Sequence, residues 1–238
     1  MGMSLDGDQM NMIICTTYAG RNEIANLASA PNWLITQANS SPALGQVDDS
    51  IIMLADLTRT GTVYDRHHAM SLFANCTYKP VLPQKDQFTG RELVSYILDK
   101  TPINLSRPTT WYNEKWAPYI KYDPDDIKLV IVNGKIISGI LDKKNIGAGA
   151  VGGVYHVIAT EYGPRAALDV MYNMQQMAIA HSYLRGFSIG ILAFMIPLSV
   201  KEQVDNITSE ILRKSELTME RLINGELISP IGKTIRDY

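Results

Sequence analysis

The sequence predicts a mixed α+β fold for this chain of 238 residues. One observation is the pair Asn133-Gly134 between two apolar runs, which is the strongest short-range signal of a β-hairpin. A second is a series of helices with readable ends, two of which begin with the Ser/Thr-x-x-Glu pattern of a capping box. The third is composition, because 46% hydrophobic and 19% charged residues are typical of a globular chain that buries a core.

Net charge and cysteine content exclude several classes of protein. A protein that binds nucleic acid on its own usually carries a clear positive charge, so a net charge of −2 argues against an autonomous nucleic-acid-binding module. It is compatible with a segment that lines a nucleotide entry path inside a larger assembly. Cys15 and Cys76 form no Cys-x-x-Cys pair, so neither a zinc site nor a disulfide framework is indicated, and a reducing, intracellular compartment fits. No signal peptide is readable. The longest apolar stretch, Phe187 to Val200, is shorter than the ~20 residues of a membrane span.

The N-terminal region is predicted to contain a short strand and a helix. Residues Met10 to Thr16 are apolar enough for a buried strand. A helix is expected from Arg21 to Ala28, closed by Pro31. Three apolar side chains are predicted to face inward from this helix: Ile24, Ala25 and Leu27.

Two more helices are predicted after a turn at Asn39 to Pro42. Asp48 or Asp49 is expected to cap the first, which runs through Leu57. Its apolar residues at helical spacing are Ile51, Ile52 and Ala55. The second helix is predicted from Asp65 to Asn75.

The middle of the chain combines a capped helix with an aromatic arm. Thr89 and Glu92 form a capping box, and the helix is expected to run to about Leu98. The stretch Thr101 to Asp126 holds four prolines, two tryptophans (Trp111 and Trp116) and several tyrosines. It is predicted to pack across the surface as an irregular arm. Nucleic-acid stacking on these rings is the alternative, but no Lys/Arg cluster interleaves them.

The clearest local structure is a hairpin between Lys128 and Leu141. Leu129 to Val132 is predicted to pair with Lys135 to Ser138 across the Asn-Gly turn. The Gly-rich stretch Gly147 to Gly153 follows. It lacks the lysine of a P-loop and the spacing of a dinucleotide fingerprint, so we predict a tight, close-packed turn and not a phosphate cradle.

Two long helices are predicted in the last third of the chain. The first begins at Gly163-Pro164 and ends at Gly186. Its apolar face is predicted to pack in the hydrophobic core and not to bind a cofactor. That face contains Leu168, Met171 and Met174 or Gln175. The second begins with the capping box Ser199-x-x-Glu202 and stops at Gly225. Its apolar stripe is Val200, Val204, Ile207 and Ile211, and its solvated face is Lys201, Asp205, Glu210 and Lys214.

None of the four histidines is predicted to bind a metal. His67 and His68 are adjacent on a predicted helix and point about 100° apart, so they cannot chelate as an i,i+4 pair does. We expect both to pack or lie at the surface. His156 and His181 are flanked by apolar residues, and a packed, hydrogen-bonded imidazole is expected for each.

The candidate chemistry lies in the first dozen residues, where Asp6 and Asp8 flank Gly7. Glycine lets the backbone bend, so the two carboxylates can converge on one point, and converging hard oxygens are what Mg²⁺ requires. Asp-Gly is also a common hairpin turn, so the pattern alone leaves both interpretations open. An EF-hand is excluded, because its glycine and glutamate positions would fall on Asn11 and Thr17.

The run from Asp6 to Asn11 resembles the catalytic loop of the largest subunit of multisubunit DNA-directed RNA polymerases, where Asn-Ala-Asp-Phe-Asp-Gly-Asp precedes Glu-Met-Asn. Six further segments are similar to the same family and follow in its order. They are Arg21 to Glu23, Ser41 to Gly45, Phe88 to Gly90, Ser138 to Lys144, Glu161 to Pro164 and Gly186 to Gly190.

This resemblance implies the end of the active-site barrel over residues 1–60, a pore domain with a β-hairpin and several helices over 61–190, and the helical start of the funnel over 191–238. It implies that Asp6 and Asp8 are catalytic and bind the Mg²⁺ that orients the RNA 3′ hydroxyl for attack on a nucleotide α-phosphate. The chain ends before the family's remaining funnel, bridge helix and trigger loop. The isolated chain is therefore expected to be inactive.

The sequence departs from the family at the start of the loop. Ser4 stands where the family has its first catalytic aspartate, and Gly2 stands where it has an asparagine. One of three metal carboxylates is therefore missing. Either the stretch Met1 to Ser4 marks a boundary of a split or truncated gene, or this copy is impaired.

The implied partners are the second-largest subunit, the remainder of the largest subunit, template DNA, RNA and nucleoside triphosphates, with no membrane. One alternative is a non-catalytic structural or assembly fragment that docks with the other polymerase polypeptides or serves as a platform for an elongation factor. Another is an unrelated α+β enzyme that matches by chance. Split, diverged polymerase genes are typical of large DNA viruses, so we expect a viral source acting in the host cytoplasm or virion; otherwise the nucleus is expected.

Overall fold

A computed structural model describes residues 7–110, 112, 122–196 and 198–226, and its helices and small antiparallel sheets confirm the α+β class. The chain divides into two compact units, Met1–Gly186 and Phe187–Tyr238. Ser4, Asp6, Trp111 and Trp116 lie outside the described residues. The assignment of residues 1–60, 61–190 and 191–238 to barrel, pore and funnel stays a prediction.

The first unit contains eight described α-helices and five described strands. The helices are α1 (Tyr18–Glu23), α2 (Asp49–Thr58), α3 (Arg66–Leu72), α4 (Gly90–Leu98), α5 (Pro124–Ile127), α6 (Lys143–Ile146), α7 (Val154–Glu161) and α8 (Pro164–Arg185). The strands are β1 (Val63–Asp65), β2 (Gln87–Thr89), β3 (Leu105–Pro108), β4 (Lys128–Val132) and β5 (Lys135–Ser138). A π-helical turn (Ile24–Ala28) and a 3₁₀ turn (Ala30–Trp33) follow α1.

The predicted N-terminal strand is wrong. Residues 10–16 form no strand, and Met12, Ile13 and Ile14 are 92%, 85% and 82% exposed. The predicted inward face of the next helix is wrong as well, because Ile24 and Leu27 are 48% and 64% exposed. An apolar run predicts that its side chains are buried, but it does not identify the residues that cover them. Within the described part of this chain, no residues cover these side chains.

The helix α2 follows its predicted position with a different buried face. Asp48 occupies the N-cap position, although its side chain makes no cap hydrogen bond. The buried apolar residues are Met53, Leu54 and Leu57, whereas Ile51, Ile52 and Ala55 are half-buried. The next helix, α3, ends at Leu72 and not at the predicted Asn75.

The capping box of α4 is confirmed. The Thr89 hydroxyl accepts a hydrogen bond from the Glu92 backbone N–H at 3.3 Å, and the Glu92 carboxylate accepts one from the Thr89 N–H at 2.9 Å. The helix then ends at Leu98, as predicted. Its buried face includes Leu93, Val94, Ile97 and Leu98, so the cap fixes where a core helix starts.

The predicted hairpin is confirmed as the β4–β5 pair of a three-stranded antiparallel sheet. Asn133 and Gly134 both have positive φ angles, 49° and 76°, as a type I′ turn requires. The sequence did not predict the third strand, β3, which pairs with β4 from Leu105 to Pro108. The predicted irregular arm therefore begins as an edge strand, where a terminal proline is tolerated because the lost donor faces away from the sheet.

Gly134→Val is expected to destabilise the first unit by about 1–3 kcal/mol, the cost of a strained backbone conformation. A Cβ at this position would also lie 2.9 Å from the Leu98 carbonyl oxygen. Gly149→Val has the same strain without the close contact, since Gly149 has a similar φ of +75° but no described atom within 4 Å of its Cβ position, so it should cost less than Gly134→Val. Chemical denaturation would measure both variants. An unchanged unfolding midpoint for Gly134→Val would contradict the hairpin geometry.

The Gly-rich stretch is a close-packed turn, as predicted. A Cβ on Gly45 would lie 2.2 Å from the Ala148 backbone nitrogen, and one on Gly153 would lie 2.5 Å from the Asn145 carbonyl oxygen. The Gly149 N–H donates to the Pro42 carbonyl at 2.8 Å. These glycines let segments 42–46 and 145–153 approach each other, a packing role.

The long helix α8 forms the centre of the first unit. It begins at Pro164 and is capped by Gly186, as predicted. It packs against α2, α3, α4 and α7, and Met171, Met174 and Met177 are buried in its core face. Among the described residues, the side chains of the main apolar cluster all lie between Leu34 and Ala178.

The second unit contains a 3₁₀ turn (Ile191–Phe194) and the helix α9 (Leu198–Ile223). The predicted capping box is wrong. Ser199 lies inside the first turn of α9 and therefore cannot be the residue that caps the helix. The stop at Gly225 is confirmed, because Gly225 has φ +73° and the Glu226 N–H donates to the Arg221 carbonyl, as in a Schellman motif. Among the described residues, no helix has the length and apolar character needed to cross a membrane.

Candidate functional site

The predicted metal loop is described only in part. Asp6 lies outside the described residues, whereas Gly7 and Asp8 lie inside them. Gly7 has φ +115°, a conformation that favours glycine, and Asp8 is exposed. No group of three His, Cys, Asp or Glu side chains able to hold a metal occurs among the described residues. The position of Asp6 relative to Asp8, and with it the metal site, stays a prediction.

The donor chemistry of this loop still fits a divalent cation. Carboxylate oxygens are hard ligands, and an exposed carboxylate can bind Mg²⁺ while the ion keeps most of its waters. Within the part of the chain that the structure describes, a Cβ on Gly7 would have no atom within 4 Å.

The chain downstream of the loop is fastened by α1. Thr17 caps this helix, its hydroxyl accepting from the Gly20 N–H at 3.1 Å. Arg21 donates from Nε to the Cys15 carbonyl at 3.2 Å, and its guanidinium lies 5.7 Å from the centre of the Tyr18 ring. The helix α1 therefore holds the chain at Cys15, seven residues after Asp8.

A buried ion pair joins distant parts of the first unit. Asp126 is 2% exposed, and its Oδ1 lies 2.6 Å from Arg91 Nη2. The same oxygen accepts from the Thr60 N–H and hydroxyl at 3.1 and 3.0 Å. Arg91 also donates to the Thr58 carbonyl. The sequence did not predict this pair, because nothing local links residues 35 positions apart.

A second buried carboxylate lies in the segment Ser138 to Lys144. Asp142 is 6% exposed and accepts hydrogen bonds from the Thr110 N–H and hydroxyl and from the Asn145 amide. It anchors the chain that follows β3 to the chain that follows β5. This contact is structural and was likewise not predicted.

A buried glutamine links α7 and α8 to the turn before α2. The Gln46 amide nitrogen donates to the Tyr155 hydroxyl and to the Met171 carbonyl, each at 2.9 Å. Burial raises the pKa of Tyr155 far above its ordinary value. The tyrosine therefore stays neutral and serves as a packing and hydrogen-bonding group.

Three of the histidines form hydrogen bonds with neighbouring groups in the structure. The exposed His68 ring lies 2.7 Å from the Asp65 carboxylate, and His156 accepts from the Gly152 N–H at 2.9 Å. His181 is fully buried and hydrogen-bonded.

Comparison with known sequences decides the family. Residues 33–192 match the family described as RNA polymerase Rpb1, domain 3. The chain belongs to the Rpb1 family. That match spans the whole apolar cluster of the first unit and all five of its described strands.

Viral Rpb1 proteins are similar over nearly the whole chain. The DNA-directed RNA polymerase RPB1 homologs of African swine fever virus, from the Malawi tick, Pretoriuskop tick and Namibia warthog isolates, are each 38% identical over 242 residues, which covers 98% of this chain. The match covers 17% of each relative, so the chain spans about a sixth of the length of these Rpb1 homologs. The family match at 33–192 does not include the acidic loop.

Proposed function

We propose that this chain is the segment of an Rpb1-type subunit that contributes Asp6 and Asp8 to a catalytic Mg²⁺ site and forms walls of the pore and funnel. The observation that carries the proposal is the run Asp6 to Asn11, which resembles the polymerase catalytic loop and precedes a domain of the Rpb1 family. The left-handed conformation of Gly7 and the exposure of Asp8 support it.

The two aspartates would act by position and charge. Mg²⁺, when bound, supplies Lewis-acid activation of the attacking oxygen and stabilises charge at the transferred phosphoryl group. Asp6 and Asp8 would hold it by carboxylate oxygens on either side of Gly7, while the exposed setting leaves room for substrate phosphates. The reaction needs no protein nucleophile.

The exposed apolar residues outside the family match support assembly with further polymerase polypeptides. Met12, Ile13 and Ile14 precede the matched domain, whereas Phe194 and Leu198 lie beyond its end, and all are more than half exposed. Exposed apolar surface of this kind marks interaction sites. We propose that the remainder of the largest subunit and the second-largest subunit cover it, in a complex that binds template DNA, RNA and nucleoside triphosphates inside the host cell or virion.

A second candidate function is a non-catalytic assembly fragment. The observation that favours it is Ser4, which stands where the resemblance places a third carboxylate. In that case the matched domain would serve as a docking platform and the acidic loop as a turn. The two functions differ in how strongly the loop binds Mg²⁺ and in how the assembled complex responds to loss of its carboxylates.

The isolated chain is expected to bind Mg²⁺ only at millimolar or weaker affinity. Two carboxylates supply little charge, and Mg²⁺ is usually completed by substrate phosphates. Ser4→Asp should tighten binding, because it adds an anionic oxygen at contact distance. Isothermal titration calorimetry would measure both, with Ser4→Asn as the uncharged control. Equal affinities for the Asp and Asn variants would contradict a metal-binding loop.

A further inference from the structure

A buried histidine ties the C-terminal end of α8 to α2 and β1. His181 is 0% exposed. Its Nε2 lies 3.0 Å from Asp56 Oδ2, and its Nδ1 is hydrogen-bonded to the Tyr64 hydroxyl. A neutral imidazole has one donor and one acceptor. The arrangement therefore assigns Nε2–H as donor to Asp56 and the Tyr64 O–H as donor to Nδ1, and the neutral ring has both of its nitrogens satisfied.

The Asp56 Oδ2 atom also forms a salt bridge with an arginine, Arg185. Arg185 Nε lies 3.1 Å from Asp56 Oδ2, and the arginine side chain is 57% exposed. Arg185 is the last residue of α8, one position before the cap Gly186. From the neighbouring α3, His68 faces the same cleft as Tyr64 and Arg185, and the Asp65 carboxylate holds its ring.

We infer that His181 is an acid-sensitive latch, in which protonation places an imidazolium and the Arg185 guanidinium on one Asp56 oxygen and thereby loosens the last turn of α8. Two cations that converge on one carboxylate repel each other at short range. The exposed Arg185 is the partner that can move into water, whereas the buried ring cannot. Arg185, the last residue of α8, would then lose its contact with Asp56 on α2. This inference does not depend on the proposed polymerase function.

The direction of titration agrees with this geometry. Burial lowers the pKa of His181, the hydrogen bond and charge of Asp56 oppose the shift, and Arg185 adds to it. The folded-state pKa thus lies below the ordinary value of about 6.5. The contribution of the neutral ring to stability is complete above pH ~6.5 and is lost as the pH falls below it, because the unfolded chain binds the proton first.

The first test follows His181 by NMR titration in the full chain. We expect a pKa below the ordinary value, and we expect Arg185→Gln to raise it, because the competing cation is gone. His156, which accepts from the Gly152 N–H, is the internal control, and its ring signals should be unchanged by Arg185→Gln. A wild-type His181 that titrates at or above the ordinary value, or that ignores Arg185→Gln, overturns the latch.

The second test measures loosening itself by amide hydrogen exchange at pH 7.5 and 5.5, corrected for the intrinsic pH dependence. The Gly186 N–H, bonded to the Ser182 carbonyl at 2.8 Å, reports the end of α8. The Asp99 N–H, bonded to the Ser95 carbonyl at 2.9 Å, is the matched helix end on α4. We expect severalfold faster exchange at pH 5.5 for Gly186 alone. If the exchange rates of both amides change equally between the two pH values, or neither changes, then His181 has only a packing role and the latch is overturned.

Discussion

Asp6→Ala or Asp8→Ala in an assembled polymerase is expected to abolish template-directed RNA synthesis. Each variant removes a carboxylate that, in the proposed function, would hold the catalytic Mg²⁺. Loss of one strong electrostatic stabiliser costs on the order of 10²-fold or more in rate. Transcript yield per assembled complex would measure the effect.

Two comparison variants separate loss of the loop carboxylates from loss of any one negative charge and from slower assembly. Asp205→Ala removes one carboxylate from the exposed face of α9, and Gly149→Ala alters the Gly-rich turn where a Cβ meets no atom within 4 Å. We expect Asp205→Ala to transcribe at the wild-type rate and Gly149→Ala to slow assembly only. If Asp6→Ala and Asp8→Ala both transcribe at that rate as well, the loop is a turn and the assembly-fragment function is favoured.

Asp126→Ala is expected to destabilise the first unit by about 3–5 kcal/mol, the cost of removing one partner of a buried ion pair. The change leaves the Arg91 guanidinium, whose side chain is 14% exposed, without its carboxylate. It also leaves the Thr60 N–H and hydroxyl without their acceptor. For a unit of this size the melting temperature should fall by about 10 °C.

Two companion variants separate the buried charge from the simple loss of an ion pair. Asp126→Asn keeps an oxygen acceptor for Thr60 and should cost less than Asp126→Ala. Lys85→Met breaks the surface pair with Glu92, at 2.7 Å, and should change stability by no more than about 1 kcal/mol. Equal losses for Asp126→Ala and Lys85→Met would contradict the role of burial.

The parts of the fold that sequence predicted are those with local signals. Gly163-Pro164 and Gly186 mark the ends of α8, Thr89 caps α4, and Asn133-Gly134 sets the hairpin, because each feature acts within a few residues of itself. The edge strand β3 escaped prediction because its residues pair with residues of β4 that lie 20 to 26 positions further along the chain.

The errors arose where burial depends on partners that are distant in sequence. Hydrophobicity at Met12 to Ile14 predicted a buried strand, but these side chains are exposed in the structure. The Arg91–Asp126 pair and the Gln46–Tyr155 bond have no sequence signal, because each joins residues far apart in the chain. The candidate site came from resemblance and not from periodicity or spacing, because Asp-Gly-Asp by itself is as typical of a turn.

The position of the bound metal ion can be measured without relying on catalytic activity, and this tests most directly whether the loop at Asp6 and Asp8 binds Mg²⁺. In the assembled polymerase, Fe²⁺ exchanged for Mg²⁺ would generate hydroxyl radicals with peroxide and cut the backbone close to the bound ion. The proposed function predicts cuts at the loop around Asp6 and Asp8 that disappear in Asp8→Ala and persist in Asp205→Ala. Cuts elsewhere in the chain, or an identical pattern in Asp8→Ala, would contradict a metal site at this loop.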